Sequence, residues 1–251
     1  MTKLKNFLGN LALKFGYKIS KTKQGYPKNF SEEDISLIKS IRPFTMTGPE
    51  RIFSLIESVR YVISNDIPGS IVECGVWRGG SMMAVAYTLL KLNRQDRDLY
   101  LYDTFEGMSN PTSVDISSVG NDAKKMFEET KIDANSSRWC NVSLDEVKKA
   151  VYSTGYDVQK IHFVKGKVEN SLPKNVPRNI SILRLDTDWY ESTRHELIHL
   201  FPLLSHGGVI IIDDYGFWKG QRKAVDEYFI QNKIKILLNR IDNAARIGIK
   251  I

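Results

Sequence analysis

Cysteine is scarce in this chain: Cys74 and Cys140 are the two in 251 residues. Two are too few for a disulfide framework, and they suit a reducing cytoplasm, where the protein is expected to reside. No apolar run reaches the ~18 residues that a membrane-spanning helix requires. The opening stretch MTKLKNFLGNLALKFGYK lacks the long apolar centre and small-residue cleavage site of an export signal. Acidic residues are absent from the first 31 positions, and Glu32 is the first. Residues 1–30 carry seven lysines and no arginine, whereas the rest balances 29 basic residues with 29 acidic ones. The formal net charge of +7 therefore belongs to one segment. It argues against a DNA or RNA channel through the folded body, so no nucleic-acid partner is expected. Internal repeats and low-complexity tracts are also missing.

Two parts follow from this: a basic N-terminal segment over 1–30 and a single domain over 31–251. In the segment, Leu4, Phe7, Leu8, Leu11 and Phe15 fall at helical spacing. Such a stripe packs on its own body, on a second subunit, or on a membrane surface as a peripheral helix. In the domain, SEEDISLIKSIR and ERIFSLIESVRYVISND read as helices, separated by the punctuated loop RPFTMTGPE. Five short apolar runs then read as strands: GSIVEC, RDLYLYD, KIHFVKG, NISILRLD and GGVIIIDD. Helical stretches separate most of them. Strand alternating with helix predicts an α/β fold with a mostly parallel sheet and helices on both faces. Residues 108–157 break that rhythm. They include helix-like NDAKKMFEETK and a capping box at Ser143 and Glu146, and part of the stretch is expected to be a lid or substrate-side insertion.

Ligands of such sheets gather at the carboxyl ends of the strands. At the first strand end, VECGVWRGGS has Glu73 before a turn with Gly75, Gly79 and Gly80, and Ser81 opens the next helix. The spacing is not the G-x-G-x-x-G of dinucleotide sites. An acid ahead of the glycines favours a donor bearing an ammonium group, S-adenosylmethionine, over NAD. Asp103, closing the second strand, can take both ribose hydroxyls. Glu73, Gly75, Gly79, Ser81 and Asp103 are thus the candidate donor-site residues.

Two metal patterns compete in LRLDTDWYESTRHELIHL. His195, Glu196 and His199 spell the zinc-protease motif H-E-x-x-H, which must aim both histidines into a cleft. A helical wheel puts Leu197, Leu200, Phe201 and Leu204 on one side and both histidines opposite, on a solvated face. The motif is expected to be incidental, with a chance glutamate between exposed histidines. The acids differ. SILRLD and GVIIID are buried-strand patterns that each end in acid, and neighbouring strands lie ~4.8 Å apart. If the two strands are neighbours, Asp186, Asp213 and Asp214 share a small space and need a cation or protons to coexist. Oxygen ligands alone suit a hard ion, Mg²⁺ first. Asp188 shares a side with Asp186 in an extended chain and is a candidate general base. Acids capping strand ends for helix starts are the ordinary alternative.

The stretches FTMTGPERIFSLIESVRYV, GSIVECGVWRGGSMM, LYLYDTFEGM, FVKGKVENSLP, LRLDTDWYEST, GGVIIIDDYG and GQRKAVDEYF run in order over roughly residues 40–230. They resemble the macrocin O-methyltransferase family, whose members methylate sugar hydroxyls on natural products. The resemblance implies a class I methyltransferase (Rossmann-like) fold, S-adenosylmethionine as donor, and Mg²⁺ held by Asp186, Asp213 and Asp214 with Asp188 as base. It also implies a small-molecule or glycan acceptor and a homodimer. The layout is similar to catechol O-methyltransferase too, so an aromatic diol is the rival acceptor. A donor-binding scaffold without chemistry is the rival outside enzymes.

Overall fold

The computed structural model describes residues 25–134 and 136–251. The amphipathic stripe from Leu4 to Phe15 lies outside the described residues. No helix among those described is long and apolar enough to cross a membrane.

Two helices precede the sheet. The first, α1 (Glu32–Ile41), opens on Glu32, Glu33 and Asp34, whose charges oppose the positive end of the helix dipole. The second, α2 (Pro49–Ser64), starts on a proline whose missing N–H costs nothing at that position, and it buries Ile52, Leu55, Ile56, Val59 and Val62 along one face. Then strand and helix alternate: β1 (Ser70–Cys74), α3 (Gly80–Lys91), β2 (Leu99–Asp103), α4 (Ala123–Thr130), α5 (Leu144–Tyr152), β3 (Ile161–Lys165), the short α6 (Val168–Ser171), β4 (Ile180–Leu185), α7 (Tyr190–Leu200), β5 (Leu204–Ile212) and α8 (Lys219–Gln231). Two short strands, β6 (Asn239–Arg240) and β7 (Arg246–Ile249), close the chain.

The strands form one sheet in the order β3-β2-β1-β4-β5-β7-β6. Strands β1 to β5 pair in parallel, while β7 runs antiparallel to β5 and β6 antiparallel to β7. The two end strands are too short to be read from sequence: β6 has two residues, and β7 has four, although Ile247 and Ile249 alternate in it. The chain builds outward from β1 to β3, then returns to lay β4 on the other side of β1. That reversal opens a crevice at the carboxyl ends of β1 and β4.

Because side chains alternate across a strand, each face takes every second residue. Val72, Cys74, Leu183, Leu185, Ile210 and Ile212 belong to one core with Leu197, Leu200, Val225 and Phe229 of α7 and α8. The opposite face carries Glu73, in register with Arg184, which is in register with Ile211. Asp186 and Asp213 follow two residues further along β4 and β5 on that same face, the one against which α2 packs.

The stretch from 108 to 157 divides in two. Its end is an ordinary crossover helix: α5 carries the expected capping box, with Ser143 and Glu146 reciprocally bonded, and packs on α3. Residues 104–141, holding α4, are the added part.

Candidate active site

One row of the sheet levels the strand ends: Cys74 is in register with Tyr102 and Leu185, and Leu185 with Ile212. The hydrogen bonding continues one step past that row. Gly75 N donates to Tyr102 O at 2.8 Å, Asp186 N to Cys74 O at 2.8 Å, and Asp213 N to Leu185 O at 3.0 Å. Gly75, Asp103, Asp186 and Asp213 are therefore set on one rim, and all four line a cavity of about 540 Å³. Gly75 has a φ of +83°, and a Cβ there would lie 2.1 Å from Asp186 O. Glycine is needed at that point because the β1 and β4 ends touch backbone to backbone.

The expected convergence of the acids takes a specific form. Among the described residues, one group of three brings possible metal-ligand atoms within 4.8 Å of one another: Asp186, Asp188 and Asp214. Burial pushes the carboxyls of Asp186 and Asp188 well above the usual range. Arg184 opposes the rise at Asp186, Asp213 and Asp214 add to it, and at Asp188 the nearby Asp214 and Asp186 do so. Asp214 is raised by burial and by Asp213. Asp213, expected among the ligands, has both oxygens on guanidinium groups: Oδ1 accepts from Arg184 Nη2 at 2.7 Å and Oδ2 from Arg51 Nη1 at 2.5 Å. The same Arg51 Nη1 lies 3.6 Å from Asp214 Oδ1, and Asp242 holds its Nε at 2.7 Å.

Sequence reasoning missed these two arginines. Arg184 stands inside an apolar strand, and its side chain is only 4% exposed. It pairs with Glu73, with Asp186 at 2.8 Å and with Asp213, and donates to Thr47 Oγ1 at 3.2 Å. The signal was the lone charge in SILRL. Arg51 carried no comparable signal, since an arginine on an amphipathic helix is ordinary.

The donor-side candidates separate. Asp103 lines the cavity and ties down the glycine turn: Oδ2 accepts from Val76 N at 2.6 Å and Trp77 N at 3.0 Å, and Oδ1 from Phe105 N at 2.7 Å. Glu73 is not on the cavity wall. Its carboxyl is buried between Arg184 and Ser81, and burial, opposed by Arg184, pushes it up to about 7. Ser81 thereby supports Glu73 from within the fold. Gly79, with φ +86°, precedes α3, and a Cβ there would lie 2.8 Å from a Val151 methyl of α5.

The added segment 104–141 is docked on the acid loops. Asp115 is fully buried; it accepts from Tyr190 N at the start of α7 at 2.9 Å and from Thr112 N at 2.7 Å. Trp139 of the segment packs edge-on against Trp189, centroids 5.6 Å apart, and lies 6.2 Å from Trp218. Trp189 follows Asp188, and Trp218 follows the Asp213–Asp214 pair, so one aromatic cluster joins the segment to both acid loops. Met108, Ser109 and Cys140 of the segment line the cavity.

The H-E-x-x-H stretch is correctly placed off the cavity, but its surroundings differ from the expected solvated face. His195 and His199 are half-buried, with ring centroids 4.4 Å apart. Glu196, far from incidental, is fully buried and accepts from Thr187 Oγ1 at 2.8 Å. The reason is the crowding of α7 between α6 and α8, which buries more of its circumference than one apolar stripe.

A mostly parallel sheet in which β7 alone is reversed, a glycine turn after β1 and acids at the ends of β2, β4 and β5 define a class I, S-adenosylmethionine-dependent O-methyltransferase. More narrowly, the chain belongs to the macrocin-O-methyltransferase (TylF) family, whose model matches residues 21–247. It is 31% identical over 210 residues to demethyldecarbamoylnovobiocin O-methyltransferase of Streptomyces niveus, covering 80% of this chain and 77% of that one. It is 32% identical over 198 residues to 8-demethyl-8-(2,3-dimethoxy-alpha-L-rhamnosyl)-tetracenomycin-C 4'-O-methyltransferase of Streptomyces olivaceus, covering 79% and 72%. The solved structure of the O-methyltransferase NovP superposes with a TM-score of 0.71 at 30% identity, covering 82% of each chain.

Proposed function

We propose that this enzyme methylates a hydroxyl of a sugar, in a glycan or a glycosylated natural product, and that it works with Mg²⁺. The observation that carries this reading is the gathering of Asp186, Asp188 and Asp214 at the end of the same cavity that Gly75 and Asp103 line. The relative whose name specifies a rhamnosyl group supports a sugar acceptor.

The residues fit a divalent cation. Among the described residues, the ion pairs of Glu73, Asp186, Asp213 and Asp214 come from two guanidinium groups, Arg51 and Arg184, and Asp188 adds a fifth carboxyl to the cluster, so acids outnumber these cations. Its donors are all carboxylate oxygens, the chemistry of a hard ion. Asp186, Asp213 and Asp214 would hold it, with the ion competing for the Asp213–Asp214 pair that Arg51 now bridges. Bound there, it would supply Lewis acidity that lowers the pKa of the acceptor hydroxyl, as S-adenosylmethionine supplies the electrophilic methyl.

This chain's own groups do the rest. Asp188 takes the hydroxyl proton. Asp103 holds the glycine turn and offers its remaining lone pairs to the donor's ribose. The segment 104–141 walls the cavity from water, and the whole holds oxygen and methyl in near-attack geometry.

The test is methyl transfer from S-adenosylmethionine to a panel of glycosides with free vicinal hydroxyls and a panel of catechols, read by mass spectrometry with Mg²⁺ and with chelator. Glycoside methylation that chelator abolishes and Mg²⁺, rather than Zn²⁺, restores is expected. Asp188→Asn should lose at least ~10²-fold in turnover and keep its donor affinity by calorimetry. Near-wild-type turnover in that variant would remove Asp188 as the base. Transfer to catechols alone would replace the sugar reading, and donor binding without any product would leave a scaffold.

A further inference from the structure

The loop between β4 and α7 holds its two acids by different means. Asp186 is anchored twice, through its N–H to Cys74 O and through its carboxylate to Arg184, each at 2.8 Å. Asp188 stands at the centre of a three-residue turn, where Trp189 N donates to Thr187 O at 2.8 Å and the Asp188 φ is +69°. Positive φ at the centre of that hydrogen bond is the rare, strained form of the γ-turn. A residue with a Cβ persists in it only where the surroundings over-determine the conformation.

Both flanking residues are tied. Trp189 Nε1 donates to Ser109 O at 3.1 Å, and Thr187 Oγ1 donates to Glu196 Oε1 at 2.8 Å. Glu196 reaches this point from the second turn of α7. It is fully buried near Cys74 and Glu169, and its Oε2 has no hydrogen-bond partner among the described residues. Burial pushes its pKa well up, with the Thr187 hydrogen bond opposing and Glu169 adding to the rise. A buried carboxyl with one oxygen idle is costly to the fold. What it does in return is accept from the residue next to Asp188.

We propose that Glu196 is a positioning residue for methyl transfer: through Thr187 Oγ1 it fixes the strained turn that aims Asp188 at the acceptor hydroxyl. This rests on Asp188 being the proton acceptor. Asp186 has its own anchors, so the tether acts on the base and leaves cation binding alone.

Thr187→Val, Thr187→Ser, Glu196→Leu, Glu196→Gln and Asp188→Asn test it together. Turnover is read on the glycoside that the panel selects, Mg²⁺ affinity by calorimetry, and amide exchange over residues 186–190 by mass spectrometry, which needs no acceptor. Thr187→Val and Glu196→Leu should lower kcat about 10- to 100-fold and speed amide exchange in the turn at least about tenfold. Mg²⁺ affinity and donor KM should stay within about twofold. Thr187→Ser and Glu196→Gln, which keep the hydroxyl and the acceptor, should remain near wild type. The double variant Thr187→Val, Glu196→Leu should be no worse than either alone.

A folded Thr187→Val with wild-type kcat and wild-type exchange overturns the proposal, as does Glu196→Gln failing like Glu196→Leu. Mg²⁺ affinity falling in step with kcat also overturns it, since the tether would then serve Asp186. If Glu196→Leu does not fold, Thr187→Val decides, because it removes only the hydroxyl. Full turnover in Asp188→Asn would sink the base assignment and the proposal with it. An inactive Asp188→Asn beside an active Thr187→Val sinks the positioning role alone.

Discussion

Arg184 interrupts the apolar run of its strand and organises three acids around one buried guanidinium. Its removal would leave Glu73 buried without its countercharge and Asp213 with Arg51 alone, and breaking a buried pair in this way is costly. Glu196 presents the opposite case, a buried acid with no ion pair among the described residues. Its folded pKa is raised above the unfolded value, so its contribution to stability is fully present below the unfolded carboxyl range and is lost as pH rises toward the folded pKa. Glutamine at that position has no proton to lose. Glu196→Gln should therefore raise the melting temperature more at about pH 8 than at about pH 5. Equal shifts at both pH values would show that the carboxyl does not titrate differently in the fold. The pair of acids in DTD was legible as chemistry because both stand at a strand end. Glu196 was not, because a helical wheel sees one helix and not the loop above it.

At the scale of elements, the segment between β2 and α5 behaves as a wall seated on the acid loops. Its seat is narrow at Gly107, where φ is +86° and a Cβ would lie 2.0 Å from Ser137 O. Around it, Thr104 Oγ1 donates to Gly107 O at 2.7 Å and Ser137 Oγ to Met108 O at 3.0 Å. Gly120 has nearly the same φ, +88°, and open space at its Cβ position. Alanine at Gly120 should cost only the left-handed backbone penalty, ~1–2 kcal/mol. Alanine at Gly107 should cost more by denaturant unfolding and should raise acceptor KM, because Met108 and Ser109 move with it. Equal losses at the two sites would mean the wall is not seated there. The sequence marked this stretch as out of rhythm and found its helices. It did not show the docking, since Trp139, Trp189 and Trp218 come from three separate loops.

For the whole molecule, the charge is divided. The basic excess lies in residues 1–30, and the cavity at the strand ends is acidic. A cation that binds the folded cluster and not the unfolded chain stabilises by mass action, about 2.7 kcal/mol at a hundredfold excess over its Kd. Adding Mg²⁺ should therefore raise the melting temperature of the wild type. Asp186→Asn and Asp214→Asn should abolish that rise, and Asp188→Asn should retain it. Loss of the rise in Asp188→Asn as complete as in Asp186→Asn would make Asp188 a ligand and not the base.

The sequence by itself determined the alternation of strand and helix, the parallel sheet, and the acids at the strand ends. Those are local properties: apolar runs of strand length, glycine turns, caps, and a side-chain period of two. It also placed the chain in its family, because the motifs lie at those strand ends. Only the tertiary structure decided partnership. Glu73 and Arg184 are 111 residues apart in the chain, and Arg51 and Asp242 are 191 apart. Each pair meets because the crossovers set β1 beside β4 and bring α2 and the loop after β6 to the same rim. Which carboxyl faces a guanidinium is fixed by that long-range packing and has no local signature.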